Sequence, residues 1–446
     1  MEKDIEKIKA MLLLKRYADL RTFLSEMNAA DVAAIFSEFD EELPIMFRLL
    51  PKDFAAEVFS HMDSDEQELL IRGFSDSEIK EVFDELYVDD AADIVEEMPA
   101  NVVKRILQNT DSKMRNEINE ILRYPEDSAG SLMTTEYISL RPNMTVAQAI
   151  TRIRRTISDA ETVYTCFVTA DDRTLLGSLS IRALLVAEKD ELISEIMDKS
   201  EICVHTHDDR EDVAKAVKKY DCATIPVVDD EKRLVGMVTF DDAIDVMQEE
   251  TTEDIEKMAA IAPNEESYFK VSDIAHARNR IVWLLVLMLS AAITGRILTN
   301  YEAAFAAEAI LVSFIPMLMG TGGNCGSQTA TLIIRGMSTD DIHMKDFFKV
   351  VWVEIRVAAI TSLVLGAVNA ARIILQYHNI ELAIVVSLSI AGTVIVSQLI
   401  GCALPMAAKR LKMDPAVMAA PLITTIVDAA SLIIYFSIAV RFFNIG

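Results

Sequence analysis

The stretch PLITTIVDAA, residues 421–430, places the carboxylate of Asp428 inside an apolar segment that extends over residues 415–440. A segment of this length exceeds the roughly 20 residues that a helix needs to cross the hydrocarbon core of a bilayer. A charged side chain there costs roughly 2.5–3.5 kcal/mol on insertion scales, so it should face protein or water rather than lipid. We therefore predict that Asp428 lines a cation pathway. The alternative is a buried acid that is neutralised by a partner or by protonation.

Four more segments of this kind come before it, which predicts a membrane domain of five helices near residues 281–299, 303–335, 350–375, 382–408 and 415–440. The second segment contains GTGGNCG, residues 320–326, from which we expect a break in the helix. Irregular backbone at membrane depth is tolerated only where protein or water satisfies its polar groups. The predicted ion path, which combines the acid with this break and with neighbouring amide and hydroxyl oxygens, comprises Asp428, Gly322, Gly323, Asn324, Gln328, Thr424 and Thr425.

Charge is divided unevenly along the chain. The chain has 446 residues and a net charge of -27; residues 1–269 hold 60 acidic and 30 basic residues, and residues 270–446 hold 10 and 13. An acidic surface of this kind repels nucleic acid and attracts cations. A merely soluble acidic surface is the alternative.

The basic residues that flank the spans set the predicted orientation. If residues 1–280 lie inside, the cytoplasmic flanks carry Lys270, Arg278, Arg280, Arg335, Lys345, Lys349, Lys409, Arg410 and Lys412, and the other side only Arg296, Arg372 and Arg441. This distribution obeys the positive-inside rule, and five spans then place the C-terminus outside. We expect Glu308 near the outer interface, and expect Glu354 and Arg356, near a helix end, to snorkel or to pair.

The acidic part of the chain has three sections. Residues 1–122 have helical periodicity and a weak repeat at about 22 residues, which predicts an all-helical superhelical array. Residues 133–248 contain two diverged copies of an α/β unit, each a strand, an amphipathic helix, two strands and a closing helix. Residues 245–258 form an acidic connecting helix. Scattered cysteines, with no CxxC pair, argue against a zinc site or a disulfide framework.

The α/β tandem resembles a pair of CBS domains. Its second copy has Thr239 and Asp242, the Thr-x-x-Asp pair with which such domains often hold a ribose, whereas the first copy has Ser180 and Ala183 at these positions. The resemblance implies that ATP or another adenine nucleotide is a possible ligand of the second copy. A purely structural role for Thr239 and Asp242 is the alternative.

Three motifs in order make the whole chain similar to the MgtE family of bacterial magnesium transporters and channels: YPEDSAGSLMT at residues 124–134, GTGGNCGSQ at 320–328, and Asp414-Pro415 followed by PLITTIVD at 421–428. The resemblance implies a multi-pass protein of the bacterial inner membrane. It also implies a homodimer with its pore at the dimer interface, Asp428 on hydrated Mg²⁺, and Asp414 at the cytoplasmic mouth.

The family's domain order, placed on this chain, gives five parts. They are a helical N-domain at 1–123, CBS units at 124–196 and 197–248, a connecting (plug) helix with its linker at 249–272, and a five-helix pore domain at 273–446. The resemblance also implies that cytosolic Mg²⁺ closes the pore by bridging acidic residues. The matching regulatory ligands are Glu57, Asp90, Asp93, Glu211, Asp221, Asp242, Asp245, Glu250, Glu253 and Asp254.

Two other functions remain open from the sequence. One is a CBS-regulated channel for another divalent cation; the other is a membrane-anchored Mg²⁺ or nucleotide sensor that transports nothing. A sensor has no need of Asp428 or of the glycine-rich second span. We expect no enzyme, because the sequence has neither a nucleophile–base pattern nor a phosphate-cradling loop.

Overall fold

The computed structural model describes residues 2–39, 41–199, 202–264, 268, 271–301, 309–418 and 420–443. The chain divides into two compact units, Met1–Met247 and Gln248–Gly446. Lys270 and Glu308, which the sequence placed at the two membrane interfaces, lie outside the described residues.

The first unit begins with an all-helical array, as the periodicity of residues 1–122 predicts. Its described helices are α1 (Glu2–Leu13), α2 (Tyr17–Ser25), α3 (Ala29–Phe36), α4 (Leu43–Phe47), α5 (Lys52–Ser60), α6 (Ser64–Gly73), α7 (Asp76–Phe83), α8 (Val88–Glu97), α9 (Ala100–Asn109) and α10 (Ser112–Ile121). Side-chain caps fix several starts: Ser75 and Glu78 form a capping box at α7, and Asp111 accepts two backbone N–H groups at α10. The apolar faces meet in one core that includes Phe36, Phe59 and Phe83.

Two copies of one α/β unit complete this part of the chain, which confirms the predicted tandem. The first copy has β1 (Ser139–Leu140), α11 (Val146–Thr156), β2 (Thr165–Thr169), β3 (Leu175–Ser180), α12 (Ile181–Val186) and α13 (Ile193–Ile196). The second has β4 (Val204–His205), α14 (Arg210–Tyr220), β5 (Thr224–Val228), β6 (Leu234–Thr239) and α15 (Phe240–Met258). In each copy the first strand pairs parallel with the second, and the second pairs antiparallel with the third.

The closing helix of the second copy and the acidic connecting helix are a single element. Helix α15 runs without interruption from Phe240 to Met258. Asp242 therefore lies in the first turn of the same helix that carries Lys257 in its last turn.

The second unit is built from long apolar helices. They are α16 (Asp273–Thr299), α17 (Ile315–Ser338), α18 (Phe347–Tyr377), α19 (Ile380–Arg410) and α20 (Ala420–Phe443), with short 3₁₀ turns at Ala309–Phe314, Met344–Asp346 and Pro415–Met418. Within the described residues, five helices are long and apolar enough to cross a membrane. The predicted number of spans is confirmed, and residues 303–308 of the second predicted span lie outside the described residues.

The predicted break at residues 320–326 is wrong, because α17 continues through it as a regular helix. Its glycines serve instead as contact points between helices. A Cβ atom on Gly326 would lie 2.8 Å from Ser397 Oγ, and one on Gly401 would lie 2.5 Å from the carbonyl oxygen of Gly326. Small residues allow membrane helices to approach this closely. The backbone carbonyls of this stretch are therefore engaged in the helix.

Glu354 also differs from the expectation of a snorkelling side chain. It is buried between helices, and its Oε2 atom accepts a hydrogen bond of 3.0 Å from the Thr329 hydroxyl of α17. This corresponds to the pairing alternative, and the contact joins α17 to α18. Arg356 is exposed in the single chain.

Candidate functional site

Three carboxylates from separate elements of the first unit converge. Asp89 lies in the first turn of α8, Glu161 lies in the segment that precedes β2, and Asp242 lies in the first turn of α15. One oxygen of each carboxylate lies within 4.8 Å of an oxygen of each of the others. Three carboxylate oxygens at this spacing can act as ligands of one cation.

The surroundings of this cluster are acidic and partly closed. Asp89 is 8% exposed, and Asp89 Oδ1 and Glu161 Oε2 are buried with no hydrogen-bond partner in the described part of the chain. The cluster borders a cavity of about 690 Å³ whose lining contains no lysine or arginine among the described residues. The carboxylates that line the cavity are those of Asp89, Asp90, Glu161, Asp221, Asp241 and Asp242.

Burial and mutual repulsion both disfavour the charged forms of these acids. Burial, followed by the neighbouring negative charge of Asp242, raises the pKa of Asp90 to about 6 and that of Glu161 to about 7. Burial is also the largest cause of the raised pKa values of Asp89 and Asp242. A hard divalent cation with oxygen ligands would remove this cost. The donor set of the cluster therefore fits Mg²⁺.

The structure brings some of the predicted regulatory ligands to this cavity. Asp90, Asp221 and Asp242 line it. Glu57 and Asp245 are exposed and are not among its described lining residues, and Glu211 forms an ion pair of 2.7 Å with Lys215. Asp93 is not a described lining residue either, but burial and then the charge of Asp242 raise its pKa to about 8. Their assignment as metal ligands stays a prediction.

Sequence reasoning missed two members of the cluster. It selected Asp90 from the Asp89-Asp90 pair, although Asp89 is the residue whose carboxylate meets Glu161 and Asp242. The inward face of α8, on which Asp89 is buried beside Val88 and Ala92, could have indicated the choice. Glu161 lies in an irregular segment with no periodicity, so no comparable signal existed.

Thr239 and Asp242, the predicted nucleotide pair, are bonded to each other. The Thr239 hydroxyl donates to the Asp242 carboxylate, and the Asp242 backbone N–H donates to Thr239 Oγ1 at 3.5 Å. Both side chains also border the acidic cavity. The hydrogen bonds between Thr239 and Asp242 agree with the structural role, and both side chains can also be reached from the cavity.

Asp414, the predicted acid at the cytoplasmic mouth, already has a cationic neighbour. Its Oδ2 atom lies 2.8 Å from Lys257 Nζ, and its Oδ1 atom accepts the Ala416 backbone N–H at 2.8 Å. Glu253, another predicted ligand, lies 2.6 Å from the same ammonium group. Glu250 and Asp254 are partly buried on the same helix.

The membrane helices place the remaining candidates on α17 and α20. Asp428 is half-buried, and its Oδ1 atom is buried with no hydrogen-bond partner in the described part of the chain. Thr425 donates its hydroxyl to the Pro421 carbonyl oxygen at 3.0 Å. Thr424 faces Gly323, on which a Cβ would lie 2.9 Å from Thr424 Cγ2. A carboxylate with an unsatisfied oxygen at this depth is suited to a cation or its water shell.

The buried glycines and the amide side chains of α17 lie on opposite faces of the helix. Gly322 and Gly323 are buried against α19 and α20. Asn324 and Gln328, four residues apart and so on one face of the helix, are exposed in the single chain. The assignment of Gly322, Gly323, Asn324 and Gln328 to the ion path stays a prediction.

Comparisons with known families match most of the chain. A family model described as a divalent cation transporter, MgtE, matches residues 315–438. The MgtE intracellular N domain matches residues 22–127, and the CBS domain matches residues 129–190 and 193–249.

Curated relatives and solved structures carry related names. The chain is 37% identical to a magnesium transporter of Thermus thermophilus, over 94% of each chain. It is 30% identical to one of Bacillus subtilis, over 98% of this chain and 97% of the relative. Two solved structures cover just over half of the chain: the cytosolic domain of a Mg²⁺ channel in complex with ATP (37% identity, 54% of this chain and 99% of that one, TM-score 0.52), and the soluble part of a magnesium transporter (29%, 56% and 99%, TM-score 0.53).

Proposed function

The chain belongs to the MgtE family and is a multi-pass magnesium transporter, and we propose from its structure which residues carry the ion and which close its path. Asp428 carries the ion in the membrane, Asp414 marks the cytoplasmic end of the path, and the acidic cluster of the first unit senses cytosolic Mg²⁺. The observation that supports the path is the Asp428 Oδ1 atom, which is buried within a span without a hydrogen-bond partner in the described residues.

Mg²⁺ binds oxygen ligands and gives up its water shell reluctantly, so a single carboxylate per chain suits a hydrated ion. The hydroxyl groups of Thr424 and Thr425, one turn from Asp428, offer acceptors to that shell, and Asn324 and Gln328 offer amides. In this mechanism the protein positions charge and polar oxygens, and no bond of the protein changes.

Flux measurements test the path directly. Mg²⁺ uptake into liposomes that contain the full chain should fall at least tenfold for Asp428→Ala, because the main charge for the ion is lost. Ser437→Ala, which alters a hydroxyl further along the same helix, is the matched control and should transport normally. Equal Mg²⁺ flux through wild type and Asp428→Ala would remove Asp428 from the path and favour the sensor reading.

A homodimer is the proposed assembly. Asn324 and Gln328 present amides on one face of α17 that the single chain leaves exposed. Polar side chains are poorly placed against lipid, and a second copy with its own amides and Asp428 would give them a polar environment. Cross-linking in native membranes should give a dimer; a chain that remains monomeric while transporting Mg²⁺ would contradict this assembly.

The proposed orientation places the N-terminal domains in the cytoplasm and the C-terminus outside the inner membrane. The basic residues at the flanks of the spans support this arrangement. Labelling of a cysteine introduced near the C-terminus by a membrane-impermeant reagent added to intact cells should succeed, and protection of that cysteine would reverse the orientation.

The proposal that cytosolic Mg²⁺ closes the path is based on the acidic cavity. Repulsion among its carboxylates favours separation of the elements that carry them, and a divalent ion between Asp89, Glu161 and Asp242 favours their approach. Such an ion shifts the equilibrium toward the arrangement in which these elements lie close together, because it binds that arrangement more tightly. Asp242 lies on α15, and that helix also carries Asp245, Glu250 and Glu253, which would transmit the change.

Joint neutralisation of Asp245, Glu250 and Glu253 to Asn or Gln tests this coupling. The triple variant should keep conducting at millimolar Mg²⁺ concentrations that close the wild type. Closure of the variant at the wild-type concentration would refute a role for the connecting helix.

We also propose that an adenine nucleotide binds the second CBS copy. The support is the position of Thr239 and Asp242 at the cavity, together with the ATP complex of a similar cytosolic domain. Titration calorimetry with ATP should show binding that Thr239→Val weakens and Ser180→Ala, its counterpart in the first copy, does not. Unchanged ATP affinity in Thr239→Val would leave Thr239 with its structural role alone.

A further inference from the structure

The ammonium group of Lys257 links two segments of the second unit. Lys257 Nζ lies 2.6 Å from Glu253 Oε1, one turn earlier in α15, and 2.8 Å from Asp414 Oδ2, in the connection between α19 and α20. Lys257 is the one basic residue of α15, whose sequence includes eight acidic residues. The end of an acidic helix is thus joined to a carboxylate by a cation that belongs to the chain itself.

The neighbourhood of this contact is partly closed to solvent. The side chain of Lys257 is 23% exposed and that of Asp414 is 34% exposed. The next residue, Met258, packs against a cluster formed by Ala330, Ile334, Ile423 and Val427, from α17 and α20. The ion pair therefore adjoins an apolar contact that holds the same end of α15.

Lys257 keeps its positive charge in this setting. Burial lowers its pKa, but the hydrogen bonds to Asp414 and Glu253 outweigh that effect, and the pKa is raised. Without the ammonium group, Asp414 would face an acidic helix end at close range, and an external cation would be needed to hold the two together.

We propose that Lys257 is a built-in latch that holds the end of α15 against Asp414 and thereby lowers the cytosolic Mg²⁺ concentration at which the transport path closes. This inference rests on the proposed function, in which α15 moves between an open and a closed arrangement. An ion pair made only in the closed arrangement shifts the equilibrium toward it before regulatory Mg²⁺ binds. The latch and the regulatory ions then act in the same direction.

The sign of one measurement would distinguish this role from the opposite one. If Lys257 instead competed with Mg²⁺ for Asp414, its removal would make closure easier. If Lys257 is a latch, its removal makes closure harder. The pair joins two segments that are far apart in the sequence, which is the geometry of a latch rather than of a local charge shield.

The test uses the full chain in liposomes, with Mg²⁺ flux followed as a function of Mg²⁺ on the cytoplasmic side. Lys257→Met keeps the length of the side chain and removes its charge. Its closure midpoint should rise by roughly two- to fivefold, as expected for one partly exposed ion pair. Lys257→Arg, which can keep both contacts, should stay near the wild-type midpoint. Lys345→Met removes an exposed lysine elsewhere on the same unit and should not shift it.

The outcomes separate this inference from the proposed function. A wild type that Mg²⁺ does not close would refute the gating proposal itself. A wild type that closes, with a Lys257→Met midpoint that is unchanged or lower, would overturn the latch and leave the gating proposal standing. If Lys257→Met is not recovered from membranes, Lys257→Gln, which also removes the charge, replaces it. The same shifts of the closure midpoint then support or overturn the latch.

Discussion

At the scale of single residues, the acids of the cluster in the first unit repel one another. Asp89, Glu161 and Asp242 hold three carboxylates together where burial already disfavours charge. Such a cluster is unfavourable without a cation and favourable with one. In the proposed gating, the same residues supply both the repulsion that opens the arrangement and the ligands that close it.

Glu161→Gln separates these two contributions. With less negative charge to bury, the variant should resist protease better than wild type in buffer without divalent ions. With one charged ligand fewer, it should need roughly three- to tenfold more Mg²⁺ for full protection. Limited proteolysis across a Mg²⁺ series measures both effects, and Glu85→Gln on an exposed site is the control. A Mg²⁺ dependence equal to wild type would exclude Glu161 as a ligand.

At the scale of elements, the buried glycines of α17 allow close contact with the neighbouring helices. Gly322 and Gly326 lie where a Cβ would meet side chains of α19 and α20 at 2.7–2.9 Å. Gly401 of α19 meets the backbone of α17 even more closely. The face of α17 opposite Asn324 and Gln328 therefore packs closely against its neighbours.

Gly401→Ala should weaken this contact, because its Cβ would lie 2.5 Å from the carbonyl oxygen of Gly326 and the two backbones must separate. Overpacking of this kind costs about 1–3 kcal/mol. Gly295→Ala is the control: nothing lies within 4 Å of its Cβ, so it should be neutral or slightly stabilising. Thermal unfolding of the detergent-solubilised chain compares the two, and equal melting temperatures would argue against the close contact.

At the scale of the whole molecule, acid is concentrated in residues 1–269 and hydrophobicity in the membrane part. Residues 1–269 carry a net charge of -30, and residues 270–446 carry one of +3. Ion binding to the first part can act on the second through an element that both parts contain. Helix α15 is that element, with Asp242 in its first turn and Lys257 in its last.

The raised pKa values predict how stability depends on pH. The acids favour the compact form fully below their ordinary pKa, near 4. That advantage is lost as pH rises through the folded values of about 6 for Asp90 and about 7 for Glu161. Without divalent ions, the melting temperature of the first unit should fall between pH 5 and pH 8 (about 2–4 °C per kcal/mol lost).

Scanning calorimetry of the full chain measures this fall, and added Mg²⁺ should reduce it because the ion replaces the protons. The Glu161→Gln variant should show a smaller dependence. A melting temperature that is constant from pH 5 to pH 8 without divalent ions would contradict the assignment of these carboxylates to a repulsive cluster.

The sequence by itself determined the order of the domains, the number of spans and the candidate acids at Asp428 and Asp414, because periodicity, segment length and motifs are local properties of a chain. Only the tertiary structure decided that the glycine-rich stretch is a regular helix in close contact with its neighbours. The tertiary structure alone also showed that Asp89 and Glu161 join Asp242, and that Lys257 lies against Asp414. These relations join residues that are distant in the sequence, and their energies depend on burial and distances that only the folded chain defines.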